Sequence, residues 1–169
     1  MSVARGGRLD AAIDRAMEAL NTSVDVDSAL WREDIAGSVA HARGLARAGV
    51  ISADEAEALV AGLGQVAAEI ERGEMVWDRA KEDVHMNIEA RLTAIVGSVG
   101  GKLHTARSRN DQIATDLRLY CRRRAQETLA ALDDLGRAVV AQAEREIDTL
   151  MPSYTHLQRA QPSRLSHHL

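Results

Sequence analysis

The chain has 169 residues, of which 46% are hydrophobic and 27% charged, and a net charge of −4; that balance suits about one globular domain and offers no broad basic field for nucleic acid. Aromatic residues make up 2%, with two Trp, two Tyr and no Phe, so a core must be built from Leu, Ile, Val, Ala and Met, which favours packed helices over a β-sandwich. A single cysteine, Cys121, excludes an internal disulfide framework, and with no signal-peptide pattern at the N-terminus and no bilayer-length apolar run the expected setting is the cytoplasm, without a membrane partner.

The first predicted helix carries Leu9, Ile13, Met17 and Leu20, which step by four, four and three and so share one face. The turn residues NTSVDVDS end it, and Asp27 or Ser28 can cap the next helix, whose stripe is Trp31, Ile35, Val39, Ala42 and Ala46, with Gly49 near its end. Ser52 and Glu55 form a capping-box pattern before a third helix with Leu59, Leu63, Val66 and Ile70 on one side. Gly73 suits the position just past its end. A fourth helix is predicted from about Glu82 to Val96, with Ile88, Leu92 and Ile95 apolar, and GSVGG (97–101) reads as a flexible connection.

The fifth segment is the longest. Between Asn110 and Leu150 there is no proline and one glycine, Gly136. Apolar or small residues at 117, 121, 125, 129, 132, 135, 139, 143, 147 and 150 recur about every 3.7 residues, the helical period. Some 40 helical residues would reach ~60 Å, against ~30 Å for a small domain, so the stripe calls for a bundle with further helices. Pro152 is expected to stop this helix, SYTHLQRAQ to form a loop or short turn, and Pro162–Ser163 to begin another helix. The fold class is therefore all-α: an N-terminal helical domain over 1–107, then, over 108–169, the first long helix of a central bundle.

The chemistry concentrates where the long helix starts. Residues 104–112, HTARSRNDQ, hold far more hydrogen-bonding groups than one cap needs. Ser108 with Asp111 makes an adequate cap. The arginines and the free N–H groups of the helix start make an anion site, fitted to a small polycarboxylate. His156, beside Tyr154, Thr155 and Gln158, is either an idle surface histidine or a proton carrier near neutral pH. His85 follows Glu82 and Asp83, which are either dipole partners or groups that orient a substrate. His85 and Glu89 have the spacing of a metal pair, but no third ligand is evident, so no metal is assigned. Asn21, Ser23 and Asp27 are turn and cap residues by default.

GKLHTARSRNDQIATDLRLY and PSYTHLQRAQP closely resemble two blocks of the argininosuccinate lyase family, which belongs to the fumarase and aspartase superfamily with the δ-crystallins. GGRLDAAIDRAMEALNTSVDVDSALWREDIAGSVAHARGL and EDVHMNIEARL are similar to that family's N-terminal region. The string SRND, where fumarases and aspartases carry an SSND-like string, favours the argininosuccinate branch. One departure is Leu9, where the family has phenylalanine; it touches packing more than chemistry. The resemblance implies that Asn110, Arg109, Ser23 and Thr155 bind substrate, that His156 is an acid/base group, and that Asp27, Asp83, His85 and Gln158 line or support the site.

The implied reaction is reversible cleavage of argininosuccinate into arginine and fumarate, without a cofactor, in a homotetramer whose active sites draw on three subunits. The family's third block, a glycine-serine loop of the form GSSxMPQKxN that carries the other proton-transfer serine, has no match here. The isolated chain is therefore expected to be inactive. The alternatives are a truncated product without activity, a helical oligomerisation module, and another lyase of the same superfamily.

Overall fold

The computed structural model describes residues 14–169. It is mostly helical, as expected, and divides into two compact units, one up to Tyr120 and one from Cys121 to Leu169. Leu9 and Ile13, assigned above to the first helix, lie outside the described residues.

The first unit begins with α1 (Arg15–Asn21) and α2 (Val24–Asp27), followed by a 3-10 turn, Ser28–Leu30. Asp14 caps α1 through the Ala16 N–H. Met17 and Leu20, expected to face inward, are exposed. The main layer is α3 (Trp31–Arg47), α4 (Ala53–Glu71) and α5 (Val84–Val96), with α4 packed against both neighbours. The predicted stripes become the core. Ile35 and Ala42 of α3 meet Leu59, Leu63 and Val66 of α4, and Ile88 and Leu92 come from α5. Leu59, Leu63 and Leu92 have no exposed surface, and full burial stabilises each by about 1.5–3 kcal/mol. The Ser52–Glu55 capping box forms in both directions, and Gly49 and Gly73 adopt φ of +71° just past their helices, where a Cβ would be strained.

Two local expectations fail, for physical reasons. Neither Asp27 nor Ser28 caps α3, because the 3-10 turn carries the chain into Trp31 and the Leu30 cap position makes no side-chain bond. Residues 97–101 are not a loose connection either. They belong to a 3-10 helix, Gly97–His104, that seats Leu103 in the core. Gly100 permits this: a Cβ there would stand 2.6 Å from Thr93 Oγ1 and 2.7 Å from Thr93 Cα.

The long helix α6 runs from Arg109 to Arg145. It ends seven residues before Pro152, so a turn at 146–148, not the proline, stops it. In the second unit its apolar stripe is exposed at Leu129, Leu132 and Leu135. The SYTHLQRAQ segment is not a loop. It forms an antiparallel hairpin of β1 (Leu150–Thr155) and β2 (Gln158–Arg164), with Thr155 opposite Gln158 and a bulge between Pro152 and Tyr154. Pro152 faces Pro162, so neither donates across the ladder there. The final helix, α7 (Leu165–His168), starts three residues beyond Pro162, because Pro162 and Ser163 are strand residues. Arg164 Nη1 donates to the Ile147 carbonyl at 2.6 Å and Leu165 N to the Thr149 carbonyl at 2.9 Å, closing the hairpin base.

Gly100→Ala is expected to lower stability by about 1–3 kcal/mol, the usual cost of overpacking. Gly64→Ala, in α4 with nothing within 4 Å of the new Cβ, is expected to be neutral or to stabilise by up to ~1 kcal/mol. Urea unfolding of the two variants checks the contrast.

Candidate functional site

The start of α6 is shaped by Ala106, whose φ of 55° turns the chain before the helix. Ser108 and Asp111 then cap it reciprocally. Asn110 N donates to Ser108 Oγ at 3.3 Å, and Ser108 N donates to Asp111 Oδ2 at 3.3 Å. Capping thus accounts for Ser108 and Asp111 and leaves the arginines and Asn110 over. Arg107 reaches α3, where its Nη1 donates to Ser38 Oγ at 2.9 Å. Arg109 donates to Gln112 Oε1 at 2.8 Å and pairs with Glu89 at 3.4 Å and Asp83 at 3.6 Å. Its guanidinium is three-quarters covered, while Asn110 beside it is exposed. The Arg109 donors are already engaged by one amide and two carboxylates, so a further carboxylate would have to displace one of them.

The start of α5 gathers the other candidates of this unit. Asp83 caps α5 through the Met86 N–H at 2.7 Å. Asp27, freed from capping α3, accepts from Val84 N at 3.0 Å through Oδ1 and from the Ser23 hydroxyl at 2.6 Å through Oδ2. Ser23 N and Val24 N both donate to the Glu82 carbonyl, and Glu82 itself holds a positive φ of 60°. Ser23, Asp27 and the first turn of α5 are therefore one hydrogen-bonded corner. Asp83 joins it to Arg109.

His85 turns the other way, into the interior. His85 and Glu89 do not converge as a metal pair would: Glu89 faces Arg109 and His104, while His85 Nδ1 donates to Asp34 Oδ1 at 2.9 Å and lies 3.6 Å from Asp116 Oδ2. Asp34, His85 and Asp116 are all buried, and their polar atoms lie within 4.8 Å of one another. The contacts read as a hydrogen-bonded carboxylate centre, since Asp34 Oδ1 also accepts from Gln112 Nε2. Burial pushes the Asp34 carboxyl up, but the His85 hydrogen bond and charge, Gln112 and Arg107 outweigh it, and the group ends below its ordinary range. Asp116 goes the opposite way. Burial and the neighbouring Asp34 charge push it up to about 7, against the pull of His85 and Arg107.

Gln112 links this centre to Arg109, since its amide spans Asp34 and Arg109. The sequence reading missed Asp34, Gln112 and Asp116. A signal was present: Arg109, Gln112 and Asp116 step by three and four along α6, a polar stripe at the helical period. Polar periodicity of this kind equally marks a solvated helix face, so by itself it does not indicate burial.

In the second unit, Thr155 and Gln158 are paired ends of the two strands, and His156 and Leu157 form the two-residue turn between them. Their φ values of 50° and 63° have the signs of a type I′ turn. Such turns favour Asn-Gly; for L-residues the left-handed region costs roughly 1–2 kcal/mol each. His156 is therefore fixed at the tip of a tight turn and not carried by a loop. Thr155, His156 and Gln158 are all exposed.

The sequence profile of the lyase family matches residues 7–169. The argininosuccinate lyase of Syntrophotalea carbinolica is 50% identical over 96% of this chain, which covers 35% of that protein. The argininosuccinate lyase of Desulfatibacillum aliphaticivorans is 53% identical over 96% of this chain, again 35% of its own length. Among solved structures, an EDDS lyase variant with bound fumarate superposes on 89% of this chain and 29% of its own, with a TM-score of 0.67 and 30% identity. The chain thus spans about a third of the length of these relatives. No described helix is long and apolar enough to cross a membrane.

Asp34→Ala leaves His85 Nδ1 and Gln112 Nε2 buried without their acceptor and is expected to cost about 3–5 kcal/mol in urea unfolding. Because the folded-state Asp34 carboxyl lies below its ordinary value of 3.8, its contribution is present above that value and is lost as pH falls through the lowered one. Acid unfolding below about pH 4 is expected to be steeper in the wild type than in Asp34→Asn.

Proposed function

The chain belongs to the lyase family, and from that premise we propose that it is the N-terminal portion of an argininosuccinate lyase, which splits argininosuccinate reversibly into arginine and fumarate. The observation that carries this reading is the HTARSRNDQ string at the head of α6, in a chain about half identical to argininosuccinate lyases along 96% of its length. On this reading residues 1–107 are the N-terminal helical domain and 108–169 open the central bundle.

Elimination starts when a base takes a proton from the carbon beside a carboxylate. The electron pair spreads onto that carboxylate, giving a doubly charged aci form. The C–N bond then breaks while an acid protonates the leaving guanidinium nitrogen. The costly species is the dianion, and fixed donors aimed at its oxygens stabilise it best. Arg109 and Asn110, at the head of a long helix, supply a fork, an amide and the helix N–H groups. In an active site that draws on several subunits, Ser23 and Thr155 add hydroxyl donors. Asp27, Asp83, His85 and Gln158 hold these groups in place. His156 carries one of the two proton transfers, as base or as acid; its exposed place on a two-residue turn leaves the ring accessible to a substrate.

The exposed apolar side chains Leu129, Leu132 and Leu135 fit a helix that packs against other copies, as in a cytoplasmic homotetramer. That same face is the feature that favours the runner-up, a helical oligomerisation module without catalysis. The two differ in chemistry. The 169-residue chain alone is expected to release no fumarate from argininosuccinate. Co-assembled with the C-terminal remainder of the Syntrophotalea carbinolica argininosuccinate lyase, it is expected to do so, and His156→Asn to slow release by about 100- to 10,000-fold. An assembly that sediments as a tetramer yet neither binds nor cleaves argininosuccinate would leave the oligomerisation module as the better reading.

A further inference from the structure

The buried centre between α3, α5 and α6 contains a group that the proposed chemistry does not use. Asp116 has no exposed surface, and both its carboxylate oxygens lack a hydrogen-bond donor among the described residues. An ionised carboxylate there would have nearby positive charge but no hydrogen bond to offset its desolvation. The charged groups that face it are Asp34 from α3, His85 from α5 and Arg107 from the segment before α6. Gly37 lies against it as well: a Cβ there would stand 3.3 Å from Asp116 Oδ1, so α3 is built to admit this side chain. His85 is 3.6 Å away, too far for a good hydrogen bond, and already committed to Asp34 at 2.9 Å.

We propose that Asp116 stands protonated in the folded chain and donates its proton to Asp34, so that a shared proton locks the head of α6 against α3 and α5 and the lock opens when that proton is lost. The assignment satisfies every group at once. Asp34 remains the single negative charge and accepts from His85, Gln112 and Asp116. Gln112, its amide thereby oriented, offers its carbonyl oxygen to Arg109. Loss of the proton puts two buried negative charges within 4.8 Å, where like charges repel strongly. The Gln112 link passes that strain to Arg109. The inference rests on the geometry of the first unit alone and does not depend on the lyase reading.

The sign of the pH effect follows from where the proton sits. Asp116 keeps its proton in the folded chain up to about pH 7, whereas the unfolded chain releases it near 3.8. Between those values the folded state holds more protons, so stability falls as pH rises through that window. In the 169-residue chain, Tm is expected to drop by roughly 5 °C or more from about pH 4 to about pH 8. Asp116→Asn, whose amide donates to Asp34 in place of the proton, is expected to melt close to the wild type at the low end and to lose most of that slope. Asp116→Ala is expected to melt lower throughout. The same slope in Asp116→Asn as in the wild type would overturn the proposal, as would an Asn variant as unstable as the Ala variant. Should the variants fail to fold, carbon-13 NMR of the wild-type carboxyls decides: titration of Asp116 near neutrality supports the shared proton, and titration at the ordinary aspartate value refutes it.

Discussion

Three helices of the first unit meet at a point where charge has been taken out of water, and that desolvation governs much of what surrounds it. Asp34 sits on α3, His85 on α5 and Asp116 on α6, each with 2% of its surface exposed or less. A buried carboxylate is tolerated only when donors surround it. Asp34 has them, in His85 and Gln112. Those donors can reach it only if α5 and the first turns of α6 are held in one arrangement. The same atoms therefore specify helix placement and protonation state together. The apolar core of α3, α4 and α5 supplies most of the favourable burial, but an apolar core tolerates small slips. A hydrogen-bonded charge centre does not, because a misplaced donor leaves an uncompensated ion.

From this centre the order propagates outward to the candidate site. Gln112 carries it to Arg109, and Arg109 to Asp83 and Glu89. On the other side, Asp27 ties the Ser23 turn to the N-terminus of α5. Ser23 and Arg109 are thus fixed relative to α5 by two separate routes. On the proposed reading, this over-determination suits groups that must stay in place while a dianion forms. The hairpin of the second unit uses another device, in which the β1–β2 ladder holds His156 and Leu157 at positive φ and offsets the strain of that turn.

Much of the helical frame was legible in the sequence because it depends on neighbours along the chain. The stripes Leu59–Leu63–Val66 and Ile88–Leu92 follow from the helical period, and the Ser52–Glu55 box and the glycines at 49 and 73 follow from local rules of capping. The hairpin was not legible, since His-Leu is a poor type I′ pair and two prolines sit in its strands. The 3-10 segment at 97–104 was misread for a related reason. Its glycines signalled freedom, whereas Gly100 serves a close approach to Thr93 that exists only once α5 is in place.

The site divides along the same line. Sequence by itself determined the residue types at the head of α6, the reach of a long amphipathic helix and the resemblance that ties Arg109, Asn110 and His156 to one chemistry, since all are written in contiguous strings. Tertiary structure alone decided that Asp27 would accept from Val84, 57 residues away, and not cap α3, that His85 would face Asp34 and not Glu89, and that Gln112 and Asp116 would be buried. The physical reason is that burial of a polar group is settled by partners from other elements. Asp34, His85 and Gln112 satisfy one another only when α3, α5 and α6 meet, and periodicity within a single helix carries no record of that meeting.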